Sequence, residues 1–405
     1  MTTWYVRPVN GSDANDGESF ATAWQTTQHA IDSITADTGN EEVYLVSEGV
    51  EETSTGIYGL ADVTPRSYAL RLYAVGPSGE TGDLLDYTYT IRVTGGSPNQ
   101  VLGISGGNDS NAYGDDYRFY GVVFDANDLA TYCYYNVNNA GTNVNFYGCR
   151  FTNATSSGVR QGGYNSTTYV SCEYDNNGGW GFLANGSNRG NSTHRNGSFH
   201  DNVSGGVLGG NSVSLDSCLI YNNTGYGCQG KSIYTSTFHI QHCLIYNNGD
   251  DGIEMENLSG SYNAFNQIRN NIIYGNGGWG IQSNFVSWAD AVIYNNFISQ
   301  NTSGAFDLDV SLEDWHRNYL VDELDFDITT GKLNYSSSYE NAQHPFGGAP
   351  GGVAREDLVP DVISAATADF DSSLALNSTI TFTGSGKTWK LTSKPKNGIP
   401  VFRRA

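Results

Sequence analysis

Apolar and polar residues alternate in short runs along most of the chain, and the runs recur with one layout. "CRFTNATSSGV" (149–159), "CEYDNNGGWGF" (172–182), "SFHDNVSGGV" (198–207) and "CLIYNNTGYGC" (218–228) set the pattern. "CLIYNNGDDGI" (243–253), "NIIYGNGGWGI" (271–281) and "NFISQNTSGA" (296–305) continue it. In each, a few alternating residues meet a polar corner rich in Asn and Gly, and alternation then resumes. A period of two residues marks strands, and the runs are too short for a helix of about 10 residues. A glycine marks each unit (Gly158, Gly181, Gly206, Gly227, Gly252, Gly280, Gly304), and successive markers are 21 to 28 residues apart. Repeats of this length are single supersecondary turns that bury their apolar faces only by stacking. The pattern predicts an all-β fold, a parallel β-helix.

Asn177, Asn202, Asn223, Asn248 and Asn276 each precede their marker glycine by four residues. Stacked coils place such residues in a ladder, each amide about 4.8 Å from the next. The corners need residues that tolerate the left-handed backbone region, which Asn and Gly do at least cost. The cysteines are Cys133, Cys149, Cys172, Cys218, Cys228 and Cys243, and none forms the C-x₂-C pair of a zinc site. Four recur in one phase ("FYGC", "YVSC", "LDSC", "IQHC"), as expected of an inward stack of small buried thiols rather than disulfides.

The "YNNxGxG" coils resemble the right-handed parallel β-helix repeats of the pectin-lyase-like superfamily. The opening "YVRPVNGSDANDGESFATAWQTTQHAIDSI" is similar to the common start of that superfamily, a strand and loop leading into a capping helix. The resemblance implies a helix from Thr22 to Ser33 that plugs the open end of the solenoid. Three regions follow: residues 1–100 as cap and early irregular coils, 101–312 as the regular β-helix, and 313–405 as a C-terminal capping or oligomerisation region. In the last, the Asn corners stop, "HPFGGAPGGVAREDLVPD" reads as a linker or loop, and "STITFTGSGKTWKLTSKPKNGIPVF" reads as a hairpin or terminal coil. An uncovered last coil would invite edge-to-edge aggregation.

Composition narrows the partners. A formal charge of −22 over 405 residues argues against nucleic acid and anionic membranes. It also disfavours polyanionic glycans, unless a cation such as Ca²⁺ bridges the charges. No apolar run of about 18 residues predicts a transmembrane span. "MTTWYVRPVNGSD" has no basic segment followed by an apolar one, so no signal peptide is read there. A secreted bacterial protein would carry one; a virion protein, released by lysis, needs none.

The candidate chemistry lies in "YNNGDDGIEMEN", residues 246–257. Ile253 and Met255 should point inward, so Glu254 and Glu256 should point outward, about 7 Å apart along the strand. Gln229 and Lys231 occupy the same two outward positions one coil earlier, and Gln282 and Asn284 one coil later. Arg160 begins this stripe, and Asp307 and Asp309 continue it after a shift of one residue. The position before the marker glycine holds Trp180, Tyr226, Asp251, Trp279 and Ser303, apart from Gly205. Aromatic rings beside amides and carboxylates suit sugars; shielding of the coil edges explains Trp180 and Trp279 equally well. Carboxyl groups about 5 to 9.5 Å apart would serve glycoside hydrolysis. Glu254 with Glu256, or either with Asp251, falls in that span. Lys231 would lower a neighbour's pKa or act as a lyase base. Asp250, Asp251 and Glu254 offer the oxygen ligands of Ca²⁺, although no other metal or cofactor is expected. A solvated acidic face with no ligand is the remaining reading.

"GDDGIEM" resembles the paired-aspartate motif of polygalacturonase-type glycoside hydrolases, which implies that Asp250 and Asp251 are the acid and the water-activating group. The neighbouring coils depart from that family, with "NNTGYG" in place of a further aspartate and "GNGGWG" in place of a histidine. Asp-Pro-His-Glu, Arg-x-Pro-x-x-Arg, His-Glu-x-x-His and G-x-S-x-G motifs are absent. His239 and His242 fall on opposite faces of a strand, as ordinary polar or corner residues. The whole resembles phage tailspikes and tail fibres. That resemblance implies a homotrimer in a virion, beside other virion proteins, that binds and in some cases cleaves a host-surface polysaccharide. A secreted polysaccharide lyase or hydrolase and a non-catalytic spike are the alternatives.

Overall fold

The computed structural model describes residues 2–34, 41–57, 70–81, 86–103, 116–136, 143–162, 166–184, 191–210, 212–232, 237–257, 266–283, 291–294, 296–308 and short strands beyond. Three long sheets carry the chain. The first has 12 strands, from Thr2–Val6 to Trp315–His316; the second has 11, from Val50–Thr53 to Tyr319–Val321. The third has nine, from Gln100–Gly103 to Gly304–Leu308. Every pairing within these three sheets is parallel, so each residue lies level with its counterpart in the coils above and below: Cys228 with Ile253, Ile253 with Ile281. This is the predicted parallel β-helix.

One-per-coil stacking turns sequence alternation into columns. Inward from the first sheet, Phe119, Phe146, Tyr169 and His194 stack with centroids 5.5, 5.3 and 4.5 Å apart. Inward from the second, Phe124, Phe151, Tyr174 and Phe199 do so at 5.4, 5.1 and 4.4 Å. Ile220, Ile245, Ile273 and Ile298 then continue that column, all fully buried. Stacked flat surfaces of one kind fill a uniform cross-section without voids.

Each coil turns from the first sheet to the second through a single left-handed residue: Ser171, Asn196, Ser217, His242 and Asn270 have φ of 53 to 57°. The corner from the second sheet to the third begins with another, at Asn176, Asp201, Asn222, Asn247, Gly275 and Gln300. The ladder asparagine follows at once. Each ladder Nδ2 donates to the next Oδ1, from Asn177 through Asn202, Asn223, Asn248 and Asn276 to Asn301, at 2.8 to 3.0 Å. The two tasks that sequence assigns jointly to Asn are thus divided. The first residue of the corner takes the strained backbone, and the second takes the hydrogen bonds.

All six cysteines are free and buried, as expected. Where their column ends, Asn271 and Asn296 take it over: Cys243 N–H donates to Asn271 Oδ1 (2.9 Å), and Asn271 Nδ2 donates to Asn296 Oδ1 (3.0 Å). Sequence alone does not announce this second ladder.

The helix spans Thr27–Ser33, five residues shorter at its start than the predicted 22–33. Asp13 is the reason. Its carboxylate accepts from the N–H groups of Gln25 and Thr26 and from the Thr26 hydroxyl, holding 25–26 extended so that Thr26 becomes the N-cap. The buried Glu51 carboxylate accepts from Thr27 N–H, Thr27 Oγ1 and Tyr89 Oη, tying the helix start to the next coils. After residue 321, Phe326–Asp327 pairs antiparallel with Lys332–Leu333. Thr379–Thr381, Thr388–Ser393 and Val401–Arg404 form an antiparallel sheet, and the Gly/Pro segment between lies outside the described residues.

Candidate functional site

The outer face of the third sheet carries the predicted stripe. Register places Arg160, Leu183, Leu208, Gln229, Glu254, Gln282 and Asp307 in one column. Lys231 and Glu256 sit level in the second outward column, joined by an ion pair of 3.0 Å. Asn284 and Asp309 lie outside the described residues. Within the first column, amide and carboxylate alternate and pair: Gln229 Nε2 donates to Glu254 Oε2, and Gln282 Nε2 to Asp307 Oδ2 at 3.1 Å. Arg160 stands apart at the other end, its guanidinium 5.5 Å from the rings of Tyr132 and Tyr135.

Register also corrects the aromatic column. Trp279 is level with Gly304, not Ser303, as Trp180 is with Gly205. The last marker glycine is therefore one residue out of phase, and Asp307 joins the stripe without any local irregularity. The tryptophans have a structural task. A Cβ on Gly205 would lie 2.4 Å from Trp180 Cζ3, and one on Gly304 would lie 2.5 Å from Trp279 Cζ3. Each ring thus covers the bare backbone of the following coil. Trp180 also lies parallel to Tyr226, two coils on, with centroids 6.2 Å apart. Both tryptophans remain half-buried, so a ring edge stays open to solvent.

Asp251 sits in this column between Tyr226 and Trp279. Glu254 and Glu256 point outward as expected, but the reading of a solvated acidic face does not fit the first column: Asp251 is 2% and Glu254 6% exposed, while Glu256 stays partly open. Outward pointing does not mean wet when side chains of the adjacent coils close over the group. Asp251 Oδ1 accepts the Trp279 backbone N–H at 2.5 Å, and Asp250 Oδ1 accepts the Asp251 N–H at 3.1 Å. Both carboxylates lie against Gly278. A Cβ there would come within 2.1 Å of Asp251 Oδ1 and 3.0 Å of Asp250 Oδ1, so the glycine makes room for the pair.

Burial in this acidic corner raises the Asp251 carboxyl to about 6; Asp250, Glu254 and Asp307 add to the rise against the Trp279 N–H. Burial likewise raises Glu254, while the Gln229 amide and Lys231 favour its charged form. The Tyr226 hydroxyl is pushed up to about 12 by burial and by the same carboxylates. One carboxyl that holds its proton close to neutrality, among others, is the arrangement acid–base chemistry uses. Among the described residues, no three acidic, histidine or cysteine side chains are grouped as a metal would require.

Of the histidines, His242 is a left-handed corner residue bonded to Asp216 (3.1 Å). His194 is in the core, which its sequence context "NSTHRN" shows only once the coil register is known.

The profile of the family described as "right handed beta helix region" matches residues 135–298. No curated protein matches the chain. Among solved structures, the chain is similar to the A-module of the Azotobacter vinelandii mannuronan C-5 epimerase AlgE4 (TM-score 0.50, 16% identity, 75% of this chain and 81% of that one). It is similar also to ORF18 of Geobacillus virus E2 (TM-score 0.47, 14% identity, 93% and 82% covered). A third is the pectate lyase Pel9A (TM-score 0.41, 14% identity, 98% and 88% covered). Together with the register, the family profile and the likeness to the first of these structures show the fold: a right-handed parallel β-helix.

Proposed function

We propose that this β-helix binds an extended polysaccharide along the outer face of its third sheet and hydrolyses it at Asp251. The setting we read for it is a virion appendage of the tailspike or tail-fibre type, acting on a host-surface glycan as a homotrimer joined through residues 313–405. The change of character after residue 312 supports this setting. A protein of similar fold is by name a mannuronan C-5 epimerase, which supports reading this surface as one for a polysaccharide.

One observation carries the catalytic part: Asp251 keeps its proton to about pH 6 beside Asp250, with both carboxyls laid on Gly278. Asp251 would donate its proton to the glycosidic oxygen as that bond breaks, and Asp250 would take the proton of the attacking water. Gln229, Gln282 and the edges of Trp180, Tyr226 and Trp279 would hold the neighbouring sugars. Binding without turnover is the second reading, and a specific feature favours it: Glu254 is engaged by Gln229 and Glu256 by Lys231. That same ion pair argues against Lys231 as a free lyase base.

The test is incubation with neutral and acidic bacterial polysaccharides, with and without Ca²⁺, following reducing ends and unsaturated uronate absorbance together. We expect reducing ends alone, lost in Asp251→Asn while binding persists. Unsaturated ends would replace hydrolase by lyase, binding without ends would leave a receptor-binding spike, and neither would remove the reading.

A further inference from the structure

A concavity of about 560 Å³ lies away from the acidic stripe, on the outer face of the second sheet. Tyr87, Thr90, Arg92, Arg150, Thr152 and Asn153 are among its lining residues. Its volume falls in the range of about 300–1,000 Å³ of small-molecule sites and suits one or two sugar rings. Register explains its chemistry. Arg92, Asp125, Thr152 and Asp175 follow one another up one outward column, while Thr90, Val123, Arg150 and Glu173 follow up the other.

The two guanidiniums are fixed from beneath. Arg92 Nε donates to Asp125 Oδ2 at 2.7 Å, and Arg150 grips Asp175 with Nε at 2.8 Å and Nη2 at 2.5 Å. Asp125 and Asp175 are buried, whereas each arginine side chain is 41% exposed. Each therefore presents a rigid, half-open donor surface above a neutralising carboxylate. Between the two aspartates sits Thr152, 4% exposed, whose Oγ1 is buried and has no hydrogen-bond partner. A buried hydroxyl left unpaired costs free energy, so a ligand hydroxyl or an ordered water that reached Thr152 from the cavity would relieve it.

We infer that this cavity is a second carbohydrate site, one that takes a neutral sugar unit. Charge decides the class. Arg92 and Arg150 face Asp125, Glu173 and Asp175, two positive groups against three negative, which leaves no net attraction for uronate, phosphate or sulfate. Fixed donors and an idle hydroxyl match the alternating donors and acceptors of a pyranose, and Tyr87 supplies an apolar face at the rim. The site stands on another sheet and does not depend on turnover at Asp251.

Saturation-transfer NMR on the full chain tests it, with methyl glycosides of glucose, galactose, mannose, rhamnose and N-acetylglucosamine, and with glucuronate and galacturonate as charged arms. At least one neutral glycoside should show transfer. Thr152→Val, which keeps shape and removes only the idle hydroxyl, and Tyr87→Ala, at the rim, should each weaken it by about 10-fold. Arg195→Ala, exposed on the first sheet and outside both sites, should leave that signal unchanged. No transfer from any neutral glycoside, stronger transfer from the uronates, or a signal that survives both cavity variants would each overturn the inference.

Discussion

The asparagine ladder and the acidic stripe are built by the same rule and behave in opposite ways. Both are columns with one residue per coil; the ladder borders the third sheet and the stripe lies on its outer face. In the ladder every member is an amide, which can donate to one neighbour and accept from the other, so a column of identical residues satisfies itself without limit. Asn223 shows the full set: its Oδ1 accepts from Asn202 N–H and Nδ2, and its Nδ2 donates to Phe199 O and Asn248 Oδ1. A carboxylate only accepts. A column of identical carboxylates would repel, so the stripe alternates Gln with Glu or Asp and still leaves Asp250 and Asp251 together. The ladder is a device for stability. The stripe concentrates like charge at a cost to stability, as the site proposed here would.

The largest effect should come from breaking the ladder in its middle. Asn223→Ala removes four hydrogen bonds and strands the Asn202 backbone N–H inside the protein. At about 1 kcal/mol for each bond, with more for the stranded group, the loss is about 4 kcal/mol or above. Chemical denaturation should show it as a large drop in midpoint. An unchanged midpoint would mean that the ladder only decorates the corner.

Acid should act next, through the interior. His194 stacks on Tyr169 and bonds Tyr174 Oη at 3.1 Å, and burial lowers its pKa to about 3. The neutral ring is the form that fits. Its contribution is therefore complete above the ordinary histidine value of about 6.5 and is lost as pH falls from there toward 3. By about pH 4 the loss reaches roughly 3 kcal/mol at 1.36 kcal/mol per unit. His194→Phe, which continues the aromatic column, should remove most of this acid sensitivity in melts taken from about pH 7 to pH 4.

How much of this was open to sequence follows from the same contrast. Self-pairing columns repeat one letter, so the Asn ladder, the marker glycines and the cysteine stack stand out in a single chain. Columns that work by unlike pairs repeat nothing. Gln229, Glu254, Gln282 and Asp307 align only after the repeat is known, and counting from the marker glycine puts Asp307 one residue out of phase because Gly304, not Ser303, answers to Trp279. Periodicity showed which way Glu254 points but not that neighbouring coils bury it. Nor could it show that Thr152 is idle, since that depends on what surrounds a hydroxyl rather than on its place in a strand.

Asp251→Asn sharpens the comparison from the other side. A carboxyl raised from its ordinary value to about 6 makes the fold bind a proton more tightly than the unfolded chain, so stability falls as pH rises between about 4 and 6. Removing the charge should then stabilise the protein at neutral pH by about 1 to 3 kcal/mol, the upper end being two units at 1.36 kcal/mol each. The amide can still accept the Trp279 N–H. A variant more stable than the parent and unable to cut glycan would tie the strain to function. A destabilised one would class Asp251 with the ladder.

The smallest effect separates the outer face from the core by sign alone. His200 sits on the outer face of the second sheet, bonded to Glu173 (3.1 Å) and Asp201 (2.7 Å) and stacked on Tyr221. Burial lowers its pKa, but the two carboxylates more than reverse that, and the net shift is upward. The charged ring is favoured here, so its contribution is complete below about pH 6.5 and is lost as pH rises through the raised value. His194 and His200 thus tilt the stability curve in opposite directions. His200→Gln should flatten only the alkaline side of that curve, in denaturant melts from about pH 5 to pH 8, and leave the acid side to His194. A change on the acid side would mean that the carboxylates do not hold His200 charged.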